Sequence, residues 1–192
     1  MQINYRVAAL IACAVLATTT VAGATLDGQR FDDSARLAAQ DLVLNGLGLR
    51  AIFFVKVYVA GLYLPEKATT PRVILNLPGP KRLQLRMLRK ADADDFNEAL
   101  LEGIEDNSSK VELAQLNVRM RQLEKNISAI GSVATGDSIN FDFVPGIGTS
   151  FSINGVKKGT VIEGADFYNA VLKIFVGEQP VDDRLKAGLL GR

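Results

Sequence analysis

Two side chains stand out by type and place, Arg50 and Tyr58. Both lie in the segment 46–65, GLGLRAIFFVKVYVAGLYLP, the longest apolar run after the N-terminal leader-like stretch. That segment holds only two charges, Arg50 and Lys56. An arginine in such surroundings must be solvated, paired with an acid or held ready for an anion, because an unpaired buried charge is expensive. A guanidinium beside a phenol suits a carboxylate or phenolate at the mouth of an apolar cavity: one supplies a charged fork, the other a neutral donor. The alternative is a structural arginine, paired internally or snorkelling to water with its stem buried. Spacing alone leaves both open.

Much other chemistry is excluded by composition. The chain has no histidine, which removes the commonest general base and metal ligand and any Ser/His or Cys/His nucleophile pair. Its one cysteine, Cys13, allows neither an intrachain disulfide nor a cysteine-based zinc site. The carboxylates Asp92, Asp94, Asp95, Glu98 and Glu102 sit at the start and outer side of a predicted helix, where the macrodipole favours them. No EF-hand-like spacing exists, so neither metal nor cofactor is expected. Gly46-Leu47-Gly48-Leu49-Arg50-Ala51 fits the dinucleotide pattern G-x-G-x-x-A, but a strand follows where that motif needs a helix N-terminus. Net charge is +1, which gives no reason to expect nucleic acid. The sequons at Asn107 and Asn126 are read as chance.

The elements that must position Arg50 and Tyr58 follow from pattern. The run 46–65 is rich in valine, phenylalanine and tyrosine and reads as two adjacent strands, 43–53 and 54–64, joined by a kink or tight turn. The glycines Gly46 and Gly48 are expected to break it at the front. Residues 1–24 have the shape of a secretory signal peptide: Arg6, an apolar stretch 7–21, then Ala22-Gly23-Ala24. Two alternatives are a transmembrane helix and a lipoprotein box at Leu10-Ile11-Ala12-Cys13. Cleavage after Ala24 leaves a cysteine-free protein, periplasmic or secreted. Membrane contact is expected only through an N-terminus that stays uncleaved or is lipidated.

The remainder, 25–192, is expected to form one α+β domain, an antiparallel sheet with its helices on one face. Asp27-Gly28 marks a turn and Arg30-Phe31 a first short strand. Thr70-Pro71 starts a short helix that Pro78-Gly79-Pro80 stops. Lys81–Lys90 alternates as a half-buried strand with a basic, solvated outer face. Helices are predicted over 95–105, with Phe96, Leu100, Leu101 and Ile104 inward, and over 110–130, with Val111, Leu113, Leu116, Met120, Leu123 and Ile127 inward. Strands 137–144, 149–153 and 156–162 follow, the last two joined by an Asn154-Gly155 hairpin turn. Helices over 167–176 and 182–190 close the chain.

The block Gly-x-Gly-x-Arg50, followed by residues 54–64 (FVKVYVAGLYL), resembles the opening strands of the chalcone isomerase family. The stretch 169–177 (NAVLKIFVG) is similar to the helix that ends that family's cleft. The resemblance covers most of 41–190 and implies a chalcone isomerase-like open-faced sandwich, with a cleft between sheet and helices. Family enzymes close a chalcone to a flavanone, and their arginine after the glycine pair matches Arg50. The other catalytic positions do not match. Tyr58 stands for a threonine, Phe96 for a tyrosine, Gly103 for an asparagine and Ile174 for a threonine or serine. The non-catalytic, fatty-acid-binding branch fits better, with Arg50 and Tyr58 gripping a carboxylate while Phe96 and Ile174 form apolar wall. Phe53, Leu100, Phe167 and Val171 are further expected wall residues. The signal-like segment makes the chain similar to the family's bacterial, exported branch. Two other functions stay open. One is an isomerase or intramolecular lyase acting on a chalcone-like or other conjugated ketone, with Arg50 as electrophilic aid and a proton donor among Lys56, Tyr63 and Lys173. The other is an accessory protein-binding domain with a collapsed cavity and Arg50 salt-bridged to an internal acid.

Overall fold

The computed structural model describes residues 23–192. The expected signal segment up to residue 22 and the lipobox cysteine lie outside the described residues. The chain opens with a hairpin, β1 (Gly23–Leu26) and β2 (Gln29–Asp32), turned at Asp27-Gly28 as expected. β3 (Ser34–Leu37), β4 (Gln40–Ile52) and β5 (Val55–Leu64) follow. Helix α1 (Pro71–Asn76) has Thr70 at its N-cap and Pro71 in its first turn. Next come β6 (Lys81–Met87), the short β7 (Ala91–Asp92), α2 (Ala93–Asp106) and α3 (Lys110–Ser128). The short β8 (Ser132–Val133) pairs back on β7, then β9 (Ser138–Val144), β10 (Gly148–Ile153) and β11 (Val156–Ile162) form a meander. Helices α4 (Ala165–Val176) and α5 (Asp183–Leu189) end the chain.

Seven strands make one antiparallel sheet in the order β11-β10-β9-β6-β5-β4-β3. The main core lies on its helical face. Tyr58, Ala60, Leu62 and Leu64 of β5 and Leu83, Leu85 and Met87 of β6 are buried there with the apolar stripes of α2, α3, α4 and α5. The opposite face carries a smaller core of Phe31, Leu42, Leu44, Val59 and Tyr63, to which the N-terminal hairpin contributes Phe31. The α+β open-faced architecture expected from the sequence is the one observed.

The glycines of β4 do not break it; the strand runs unbroken through both. A Cβ on Gly46 would fall 2.1 Å from the Gly188 carbonyl oxygen, and one on Gly48 2.3 Å from that of Leu185. Gly188 mirrors this, its Cβ meeting the Leu47 carbonyl oxygen at 2.1 Å. The three glycines therefore let α5 lie backbone-to-backbone on β4. A bulge at Asn45 helps fix the contact. The buried Asn45 amide donates to the carbonyls of Leu189 (2.7 Å) and Ala68 (2.9 Å), and its oxygen accepts from the Ala68 amide (2.8 Å).

Some expected faces are corrected. Val111 is exposed and Leu101 only half-buried, because α3 and α2 turn those positions away from the core. The outer face of β6 is not a solvated basic surface. Arg82 makes a two-pronged bond to Asp142 (2.6 and 2.7 Å), and the Arg86 guanidinium lies 5.2 Å from the centre of the Phe31 ring. Asn126 is buried and bonds the Thr160 carbonyl, in keeping with a chance sequon.

Candidate functional site

Arg50 and Tyr58 are direct cross-strand partners in the β4–β5 ladder. Opposed residues of an antiparallel pair point to the same face, and for this pair it is the helical face, where Tyr58 joins the main core. A second bulge, at Val57, follows immediately and shifts the register between Arg50 and Ala51. Burial raises the Tyr58 phenol far above its ordinary pKa; Arg50 pulls against that shift and Asp182 adds to it. The hydroxyl therefore stays protonated and is a donor at any physiological pH.

The acid beside the pair is Asp182. Its Oδ2 lies 3.4 Å from Arg50 Nη1, and both side chains are largely covered. Its Oδ1 accepts from the backbone amides of Arg184 (2.8 Å) and Leu185 (3.0 Å), capping α5. One carboxylate thus starts a helix and faces the guanidinium, which also donates to the Ala51 carbonyl at 3.1 Å. Sequence reading found Asp182 as a helix start but not as the partner of Arg50. Its capping role is a local signal, whereas the ion pair joins positions 132 residues apart.

Ile174 is buried near this point. It packs on Gly103, and its carbonyl accepts from the Val181 amide at 2.8 Å, which ties α4 to the residue before Asp182. Phe96 is buried in an aromatic cluster, its ring 6.4 Å from Phe141, which in turn meets Phe151 edge-on at 5.2 Å. Leu100, Phe167 and Val171 are core residues. Phe53 is not cavity wall of that core: it stands 94% exposed at the turn between β4 and β5, where the two-residue loop points both aromatic rings outward.

β3 accompanies β4 only from Gln40 to Val43, so β4 beyond that point forms a sheet edge. A cleft of about 710 Å³ opens there, bordered by Leu26, Leu47, Leu49, Phe53, Asp182 and Arg184. That volume falls within the range of small-molecule sites. Asp182 and Ala51, both bonded by Arg50, border this cleft. A larger cleft, about 810 Å³, lies elsewhere between α1 and the ends of α2 and α4. The three expected proton donors stand apart from the pair. Lys56 bonds Asp27, Tyr63 faces the smaller core and donates to the Asp32 carbonyl at 3.0 Å, and Lys173 bonds Glu112 at 3.1 Å. Among the described residues no group of histidine, cysteine and acid side chains is placed to hold a metal ion.

The antiparallel sheet with its helices packed on one face makes the chain an open-faced α+β sandwich. The chain belongs to the chalcone isomerase-like family, whose model matches residues 23–191. Among solved structures, the chain is similar to a fatty-acid binding protein of Arabidopsis thaliana. The TM-score is 0.67 at 17% identity, over 88% of this chain and 96% of that one. No curated protein matches the chain by sequence.

Proposed function

We propose that the protein is a non-catalytic carrier of a fatty acid or similar apolar carboxylate, held by Arg50 and Tyr58. The observation that carries this reading is the pair itself: a guanidinium and a protonated phenol side by side, with a carboxylate, Asp182, already presented to the guanidinium. Asp182 stands where a ligand's head group would bind. At 3.4 Å the pair is long for a charge-assisted bond, so an incoming carboxylate competes on good terms. The cleft at the β4 edge leads to Asp182. As the Val181–Asp182 segment moves off, the tail is taken up against the apolar face that includes Ile174 and Phe96. The structural neighbour's description as a fatty-acid binding protein supports the same ligand class.

The test is binding of a long-chain fatty acid to wild type, Arg50→Ala and Asp182→Asn, with mass spectrometry of what the denatured wild type releases. Arg50→Ala should weaken binding about ten- to a hundredfold, the usual cost of losing a charged hydrogen bond. Asp182→Asn should strengthen it, because asparagine still caps α5 but no longer competes for Arg50. A wild type that releases nothing, with no uptake even by Asp182→Asn, would sink the proposal. That result would favour a second reading, an accessory protein with a closed interior. The internal Arg50–Asp182 pair and the full burial of Ile174 support that reading.

A further inference from the structure

The β4–β5 turn carries four consecutive apolar residues, Ile52, Phe53, Phe54 and Val55, exposed by 48, 94, 100 and 46%. Such side chains are normally the first to be covered, and a contiguous exposed group of them marks a surface that meets something apolar. The backbone maintains the display. Phe53 has φ +52, the left-handed region that bulky residues avoid and that a hairpin's first central position normally fills with glycine. Strain of this kind persists where function holds it.

We propose that this tip inserts into a lipid bilayer surface. The proposal does not depend on what Arg50 and Tyr58 bind. Three observations select a bilayer. First, the tip projects. The β5–β6 ladder ends at Tyr58↔Met87, and Leu88 gives one last bond to the Val57 carbonyl, so the backbone from Ala51 to Lys56 pairs only with itself, with the Lys56 side chain reaching Asp27 at its base. At roughly 3.3 Å per residue its outer three positions reach about 10 Å, the depth of the headgroup–acyl boundary that interfacial segments occupy. Second, the tip pairs two phenylalanines with an isoleucine and a valine, the kind of apolar side chains that interfacial segments bury at that boundary. Third, two exposed arginines flank its base with no acid partner among the described residues. Arg89 follows the Leu88 that bonds Val57, and Arg184 borders the same cleft as Phe53. These suit anionic headgroups. A second copy of the chain fits poorly, since a self-complementary interface needs a matching surface and two convex tips offer none.

The chain has no tryptophan, so Phe54→Trp places a single reporter at the tip of the full-length protein. With vesicles of equal parts phosphatidylcholine and phosphatidylglycerol, its emission should shift to the blue and be quenched by brominated acyl chains. Arg89→Glu should weaken the titration about tenfold, reflecting the loss of one cation and the gain of one anion at a charged surface. Phe54→Ser should leave the thermal unfolding midpoint unchanged, because the ring contacts nothing. An emission unaltered by vesicles overturns the proposal, whatever the N-terminal segment does. So does a blue shift that appears on concentrating the protein without lipid, which would assign the tip to a second copy of the chain.

Discussion

At the scale of single residues, the same group often serves two neighbours. Asp182 caps a helix and faces Arg50, Asn45 joins a strand bulge to a loop and to the last helix, and Glu112 closes a capping box while pairing with Lys173. Glu112 shows a clear electrostatic consequence. The Ser109 backbone amide, then the Ser109 side chain, then Lys173 hold its carboxyl down at about 2, against an ordinary 4.5. A depressed carboxylate contributes stability that is present above its unfolded value and lost as pH falls through the folded one. The contribution therefore fades between about pH 4.5 and about pH 2. The group is nearly half exposed, so the effect should stay under about 1 kcal/mol. Thermal unfolding across that range should show a shallower acid decline for Glu112→Gln, which keeps the capping geometry without the charge. An unaltered decline would mean that the box contributes nothing electrostatic.

At the scale of elements, the contact between β4 and α5 decides the site. Gly46, Gly48 and Gly188 leave no side chain at the points of closest approach, and the resulting contact brings the α5 cap to Arg50. Gly48→Ala forces a methyl against the Leu185 backbone, which has no rotamer to relieve it. Overpacking of this kind costs about 1–3 kcal/mol, so urea unfolding should show a loss toward the upper end. Gly188→Ala strains the same contact from the other side. The double variant should therefore lose less than the sum of the two, since neighbours that share one displacement are not additive. Full additivity would show that α5 does not move as a unit.

At the scale of the whole molecule, the sheet supports two cores of unequal size, and the smaller depends on one side chain. Phe31 is fully buried, fills the space left by Gly61, where a Cβ would lie 2.6 Å from its ring, and lies beneath Arg86. Phe31→Ala should cost about 3–5 kcal/mol and loosen the N-terminal hairpin, read as faster amide exchange confined to β1 and β2. Exchange unchanged there would place the hairpin's anchor elsewhere. The helices and the long strands were legible in the sequence, because they rest on short-range rules; the short β1, β3, β7 and β8 were not. The Asn154-Gly155 pair adopts the positive φ that its hairpin needs, Thr70-Pro71 starts α1, and alternation along Lys81–Met87 marks β6. The resemblance carried by the Gly-x-Gly-x-Arg50 block likewise gave the family. Tertiary structure alone decided why those glycines are there, which acid Arg50 meets, and that Phe53 faces outward instead of lining a cavity. It also showed that the basic face of β6 is paired with Asp142 and stacked on Phe31. Those pairings depend on which surfaces meet between residues far apart along the chain, 60 positions for Arg82 and Asp142 and 132 for Arg50 and Asp182. Periodicity and turn chemistry act over a few residues and carry no information about such a meeting.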